Sequence, residues 1–230
     1  MRRGGLTILG TIAIAAAILL PAAGASAASM TQPVGFHPLS DQAAAALVQP
    51  VAENRPQNQT QNHTVPSRRL LRDWRKHNKM PYRRFVDGNF TGTTDEIIQW
   101  AAYKWGLDED VLRAVAVVES WWRQSTVGGH HTSYGIFQVR APFHCGGKCA
   151  IARRSTAFNA DYYGGILRAY FDGRMAWLNK EPHGRKYAAG DIWGSVGAWF
   201  SGRWWTAPAA SYISRVQGEM ANRTWAQPGF

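Results

Sequence analysis

The chain has 230 residues, 45% of them hydrophobic, with 26 Lys and Arg against 15 Asp and Glu and a formal net charge of +11. This balance points to anionic partners, whether wall polymers, lipid headgroups or extracellular nucleic acid, and by itself does not choose among them. Beyond the first 27 residues no segment is long and apolar enough to span a bilayer, which excludes a helical membrane anchor in the processed chain.

In chain order, Arg2 and Arg3 precede an apolar run from Leu6 to Leu20, Pro21 breaks that run, and Ala25-Ser26-Ala27 has the small-residue form of a cleavage site. Residues 1–27 are therefore expected to be an export signal, and the chain to be secreted or wall-associated. Removal of the signal leaves 24 basic and 15 acidic residues, near +9. From 28 to 66 the chain is rich in Gln, Asn, Pro, Ala and Thr without apolar periodicity, and reads as a disordered linker. Residues 67–89 form a basic arm carrying Arg68, Arg69, Arg72, Arg75, Lys76, Lys79, Arg83 and Arg84, expected to be a solvated helix face or flexible tether.

The packed domain is expected over 90–225, and all eleven tryptophans lie beyond Leu70. Thr93 and Glu96 form a capping-box pattern ahead of "IIQWAAYKW", and Gly106 stops that helix. Asp108 caps a second helix, "EDVLRAVAVVES". "TSYGIFQV" reads as a strand or a turn leading into a helix. "AFNADYYGGILRAYFDG", "DIWGSVGAWFSG" and "SYISRVQGEMANR" complete a mainly helical domain.

Glu119 is the residue that composition does not explain. It follows Val115 by four positions and Leu112 by seven, so it shares their apolar stripe, and it lies in the last helical turn. Desolvation and the helix dipole both favour the protonated carboxyl, the form a general acid needs; the competing reading is a glutamate at a frayed end, turned to water. No Asp or Glu occurs between Ser120 and Ala160, and Asp161 and Asp172 follow on another helix, so the local sequence offers one acid instead of a pair. Trp121, Trp122, Trp199, Trp204 and Trp205 supply flat rings suited to sugar faces, although most are expected to be core. Cys145 and Cys149, in "HCGGKC", are expected to form a disulfide outside the cytoplasm; a metal site with His130, His131 and His144 lacks a second cysteine pair.

Glu119-Ser120 at a helix end, Gly135-Ile136-Phe137-Gln138 with Ser133 two residues ahead, Asn159, and Tyr212 in the last helix occur in that order. Together they resemble the lytic transglycosylases of the goose-type-lysozyme-like superfamily, which cleave peptidoglycan glycan strands, over roughly Thr94 to Gln217. The resemblance implies an α+β lysozyme-like fold with a small extended element, Glu119 as the catalytic acid, and Ser120, Ser133, Gln138, Asn159, Trp199 and Tyr212 around the substrate. It implies that Glu119 protonates the leaving oxygen while the N-acetyl group of MurNAc assists at C1. Glu119 then takes the C6 hydroxyl proton as a 1,6-anhydro ring closes, with no metal or cofactor. The chain departs from the family where Ala198-Trp199-Phe200-Ser201-Gly202 stands for Ala-Tyr-Asn-Ala-Gly. Competing readings are a hydrolytic muramidase, a chitinase-like glycosidase, and a wall-binding module without activity. A nucleic-acid binder leaves Glu119 unexplained. Intact mass of non-reduced exported protein should show no alkylatable thiol at Cys145 or Cys149; two free thiols would refute the disulfide.

Overall fold

The computed structural model describes residues 1, 30–144 and 150–230. The export signal and the Cys145–Cys149 pair lie outside the described residues. Among those residues the fold is mainly helical: α1 (Asp41–Ala45), α2 (Gln59–Asn62), α3 (Arg68–His77), α4 (Thr94–Trp105), α5 (Glu109–Ser120), α6 (Ala141–His144), α7 (Ala150–Arg154), α8 (Thr156–Phe171), α9 (Ile192–Ser201) and α10 (Ala207–Asn222). None is long and apolar enough to cross a membrane. A small antiparallel sheet, ordered β1 (Val127–Gly128), β2 (Ser133–Tyr134) and β3 (Val139–Arg140), follows α5. Its register pairs Gly128 with Ser133 and Ser133 with Arg140.

The long helices start and stop where their capping chemistry requires. Thr93 and Glu96 close the expected capping box, and Gly106 ends α4 in the left-handed region at φ 59°. The Asp108 carboxylate accepts the backbone N–H groups of Asp110 and Val111 at the start of α5. Helix α8 is buried along its whole length, packed between α4 and α9, while α10 packs on α5 and α9. Gly164 belongs in α8 because a Cβ there would stand 2.4 Å from Trp105 Cδ1; the glycine admits the indole to the helix backbone.

Two expectations need correction. Residues 30–66 are not a disordered linker but a strap bound across the domain. The Gln32 N–H donates to Gly106 O at 2.8 Å and the Leu39 N–H to Lys104 O at 2.9 Å. Buried Asn58 donates to Trp122 O at 2.7 Å and accepts from the Gln124 N–H at 2.9 Å. The strap is held by polar groups of its own, so apolar periodicity could not reveal it. Nor is 67–89 a detached arm. Leu71 and Trp74 of α3 are buried, and the Trp74 ring meets Phe158 and Tyr162 edge-on at 5.1 and 5.8 Å. The basic residues occupy the remaining face, and Arg75 donates to Val86 O at 2.9 Å. The domain therefore begins near residue 30, not 90.

The strap also completes two buried charge sites. Lys104 of α4 is 2% exposed and bonds Asp41 of the strap at 2.6 Å, Asp87 at 3.0 Å and Asp161 of α8 at 2.9 Å. Its carboxylate neighbours hold its pKa above the usual lysine value against the opposing effect of burial. Arg168, fully buried in α8, donates to the carbonyls of Gln32 and Pro33 and pairs with Asp172 at 2.8 Å. Removing one member of such a buried cluster strands the others. Lys104→Met should lower unfolding free energy by about 3–5 kcal/mol in urea titrations, and deletion of 30–55 should abolish cooperative unfolding. A truncated chain that melts like the full one would mean the strap is dispensable.

Candidate active site

Helix α5 ends immediately after Glu119-Ser120. Trp121 and Trp122 both adopt left-handed backbone conformations, at φ 56° and 57°, unusual for aromatic residues. Trp122 is fixed there by full burial and by donation from its indole N–H to Arg113 O at 3.0 Å. This abrupt stop leaves Glu119 in the last turn, at the end of the helix where the dipole opposes a negative charge.

Glu119 lines a cleft of about 1090 Å³ with Ser133, Gln138, His144, Trp199 and Phe200. The hydroxyl of Tyr212, from α10, donates to Glu119 Oε1 at 2.5 Å, and the Trp199 side chain of α9 lies near enough to favour the charged carboxylate. Burial pushes the carboxyl up to about 7, with the Tyr212 hydrogen bond, the Trp199 side chain and the charge of Arg215 opposing it. Glu119 is half-buried: it opens onto the cleft, but the Tyr212 hydroxyl holds it there, so it is not a side chain turned freely to bulk water. Aromatic packing fixes the surroundings: Phe200 stacks on Tyr212 at 4.7 Å and 5°, and Trp199 lies between His144 at 4.5 Å and Tyr163 at 4.9 Å.

The other expected residues divide into two groups. Ser133 and Gln138 face the cleft. Gln138 spends its amide N–H₂ on Gly135 O at 2.9 Å and Thr126 O at 3.2 Å. Ser120 and Asn159, expected at the substrate, are buried structural latches that do not line the cleft. Ser120 Oγ donates to Ile136 O at 2.9 Å. Asn159 accepts from the Phe137 N–H at 2.9 Å and donates to Tyr134 O at 2.8 Å. Together they pin the 135–138 turn, where a Cβ on Gly135 would come within 2.3 Å of Asn159 Nδ2. Tyr212 also lies behind the cleft surface and acts through Glu119.

Neither distant carboxylate joins Glu119. Asp161 accepts from Lys104, from the Trp105 indole at 2.7 Å and from two backbone N–H groups. Asp172 is bound by Arg168, the Tyr82 hydroxyl and the Gly35 N–H. Of the tryptophans singled out in the sequence, Trp199 alone lines this cleft; Trp122 and Trp204 are core, and Trp205 donates to Asp191 at 2.6 Å.

Sequence reasoning missed Tyr163, whose buried hydroxyl finds no hydrogen-bond partner among the described residues and whose pKa is raised by burial, with Glu119 adding to it. It also missed Phe143, Trp177, Arg174, Glu181 and Arg203, which line the cleft from segments without periodicity. The signal available for them was an aromatic or charge in a loop, which many surface residues share. The chain matches no family model, no curated protein and no solved structure.

Because folding raises the Glu119 pKa, the native state keeps a proton that the unfolded chain releases above pH 4.5. That contribution to stability is complete below pH 4.5 and is lost as pH rises to about 7. Glu119→Gln should therefore gain on the order of 2 kcal/mol relative to wild type between pH 4.5 and 8 in denaturant titrations. Tyr212→Phe removes a donor that favours the carboxylate and should raise the Glu119 pKa further in carboxyl-carbon NMR titrations. An unchanged or lower pKa would refute the assigned role.

Proposed function

We propose that the chain is an exported, lysozyme-like enzyme that cleaves the MurNAc-β-1,4-GlcNAc bond of peptidoglycan as a lytic transglycosylase. One observation carries the reading: the Glu119 carboxyl, held near pKa 7 at the end of α5, opens onto a cleft of about 1090 Å³ with aromatic walls. A group at that pKa is populated both as acid and as base near neutral pH, which suits one residue acting in turn as both. The ordered motif from Glu119 to Tyr212 and the basic charge of the chain support the choice of polymer.

In this mechanism Glu119 donates its proton to the glycosidic oxygen as the bond to C1 breaks. The substrate's own N-acetyl oxygen supports C1, as in glycosidases that dispense with an enzyme nucleophile. The resulting carboxylate, still receiving the Tyr212 hydrogen bond, removes the proton from the C6 hydroxyl, whose oxygen closes onto C1. The tethered hydroxyl competes with water through its high effective concentration. Trp199 and Phe200, in place of the more polar Tyr and Asn of the motif, add apolar surface beside the acid.

A second reading is favoured by Glu181, which lines the same cleft. A second carboxylate in the cleft is what an inverting hydrolase uses to activate water. Cleavage in heavy-oxygen water separates the two. The transglycosylase yields unlabelled anhydro ends and keeps activity in Glu181→Gln, whereas labelled reducing ends that disappear in Glu181→Gln would establish the hydrolase. Glu119→Gln should reduce glycan cleavage at least about 1000-fold while the protein stays folded. Cleavage at the wild-type rate would end the assignment.

A further inference from the structure

A second pocket, of about 520 Å³, lies beside the Glu119 cleft and shares only Pro81 and Arg174 with it. Arg75 of α3, Arg83 and Arg84 of the following turn, and Arg174 beyond α8 line it, together with His37 of the strap. No carboxylate lines it, and among the described residues none of these arginines forms an ion pair. Asp172, which precedes Arg174, is engaged by Arg168, the Tyr82 hydroxyl and the Gly35 N–H. Arg75 ties the turn to its helix by donating to Arg83 O at 3.3 Å and Val86 O at 2.9 Å, which gathers guanidinium groups without a counter-charge. The positive surface continues from the pocket along α3, where Arg68, Arg72 and Arg75 follow one another at i, i+4 and i+7 on a single face. Arg68 and Arg72 are exposed. A charged helix face alone is ordinary solvent surface. A concave site that gathers like charges attracts an anion, because its walls focus their field and the anion relieves their repulsion.

We propose that this pocket, with the arginine row of α3, binds a linear polyol phosphate, a flexible polymer of alcohol units joined by phosphodiesters. The planar arginine fork takes two phosphate oxygens at once, and a phosphate in every repeat lets one polymer chain run from the pocket past Arg72 to Arg68. The rings of the pocket argue against a nucleic acid. The Arg84 guanidinium lies over Phe85 at 4.6 Å, with His37 edge-on to the same ring at 5.2 Å, and the Arg174 guanidinium lies 5.2 Å from the centre of the buried Tyr82 ring. Neither ring offers an open face on which a base could stack. None of the exposed large hydrophobic side chains among the described residues lines the pocket, so a bilayer gains no inserted anchor there. The site takes no part in the Glu119 chemistry and holds the protein on a phosphate-bearing polymer while the cleft stays open.

Calorimetric titration of the full chain with poly(glycerol phosphate) tests this, beside oligothymidylate and polyglutamate of matched charge and vesicles of phosphatidylglycerol. The polyol phosphate should bind most tightly, with the logarithm of affinity falling by about 0.7 per engaged phosphate for each decade of salt. Arg83→Gln with Arg84→Gln should weaken that binding roughly three- to ten-fold and flatten the salt slope by about 1.4, the share of two contacts. Arg68→Gln with Arg72→Gln should act in the same direction. All four side chains are exposed, so both double variants should keep the wild-type thermal midpoint. Glu119→Gln should bind the polymer like wild type, because Glu119 does not line this pocket. Tighter binding of oligothymidylate or of the vesicles would assign the surface to a nucleic acid or a membrane and overturn the inference. Equal binding of polyglutamate would reduce the pocket to a general cationic face and overturn it too. So would wild-type affinity in a folded Arg83→Gln, Arg84→Gln protein, or loss of binding in Glu119→Gln, which would place the polymer in the cleft.

Discussion

The arrangement of the second half of the domain follows from one costly placement, a carboxyl group in the last turn of α5. Burial and the helix dipole both resist its ionisation, and the surrounding elements are positioned to hold it. Helix α10 brings the Tyr212 hydroxyl and α9 brings Trp199, so two helices must pack against α5 and each other at fixed register. The α5 helix must also stop at once, and two left-handed tryptophans stop it.

Such a site needs a rigid frame, and much of that frame is polar. Asn159, Ser120 and Gln124 latch the turn that carries Ile136 and Phe137 through side chain to backbone hydrogen bonds. On the other side of α8, Lys104 and Arg168 bind the strap, an aspartate-bearing loop and the helix itself. Buried ionic clusters of this kind are weak sources of net stability, because desolvation offsets their attraction, but they strongly penalise any arrangement that leaves a member unpaired. They therefore define which segments lie where more than they add to the unfolding free energy.

The departure from the resembled motif leaves Glu119 held by the Tyr212 hydroxyl. Trp199 stands beside Glu119 at the position where the motif has Tyr and favours the carboxylate, and Phe200 packs flat on the ring of the donor, Tyr212. Phe200 is half exposed on the cleft, so it joins the support of the acid to the surface offered to a substrate. The change from polar to apolar thus alters the cleft wall more than it alters the acid.

Local chemistry determined a good part of this protein before any coordinates. The capping box at Thr93, the stop at Gly106 and the Asp108 cap are backbone and side-chain rules acting over four residues, and all three stand in the structure. The position of Glu119 on the apolar stripe of α5 was legible for the same reason: helical periodicity is a local property. Tertiary structure alone decided what long-range partners decide. It showed that Asp161 and Asp172 are spent on Lys104 and Arg168, and that Ser120 and Asn159 support a turn instead of facing the cleft. It turned the polar 30–66 segment from a linker into a strap, because that segment is held by partners far along the chain, such as Gln99 for Gln49 and Gln124 for Asn58. Composition records which groups a segment carries, but whether those groups are satisfied by water or by a distant part of the chain is settled only when the chain closes on itself.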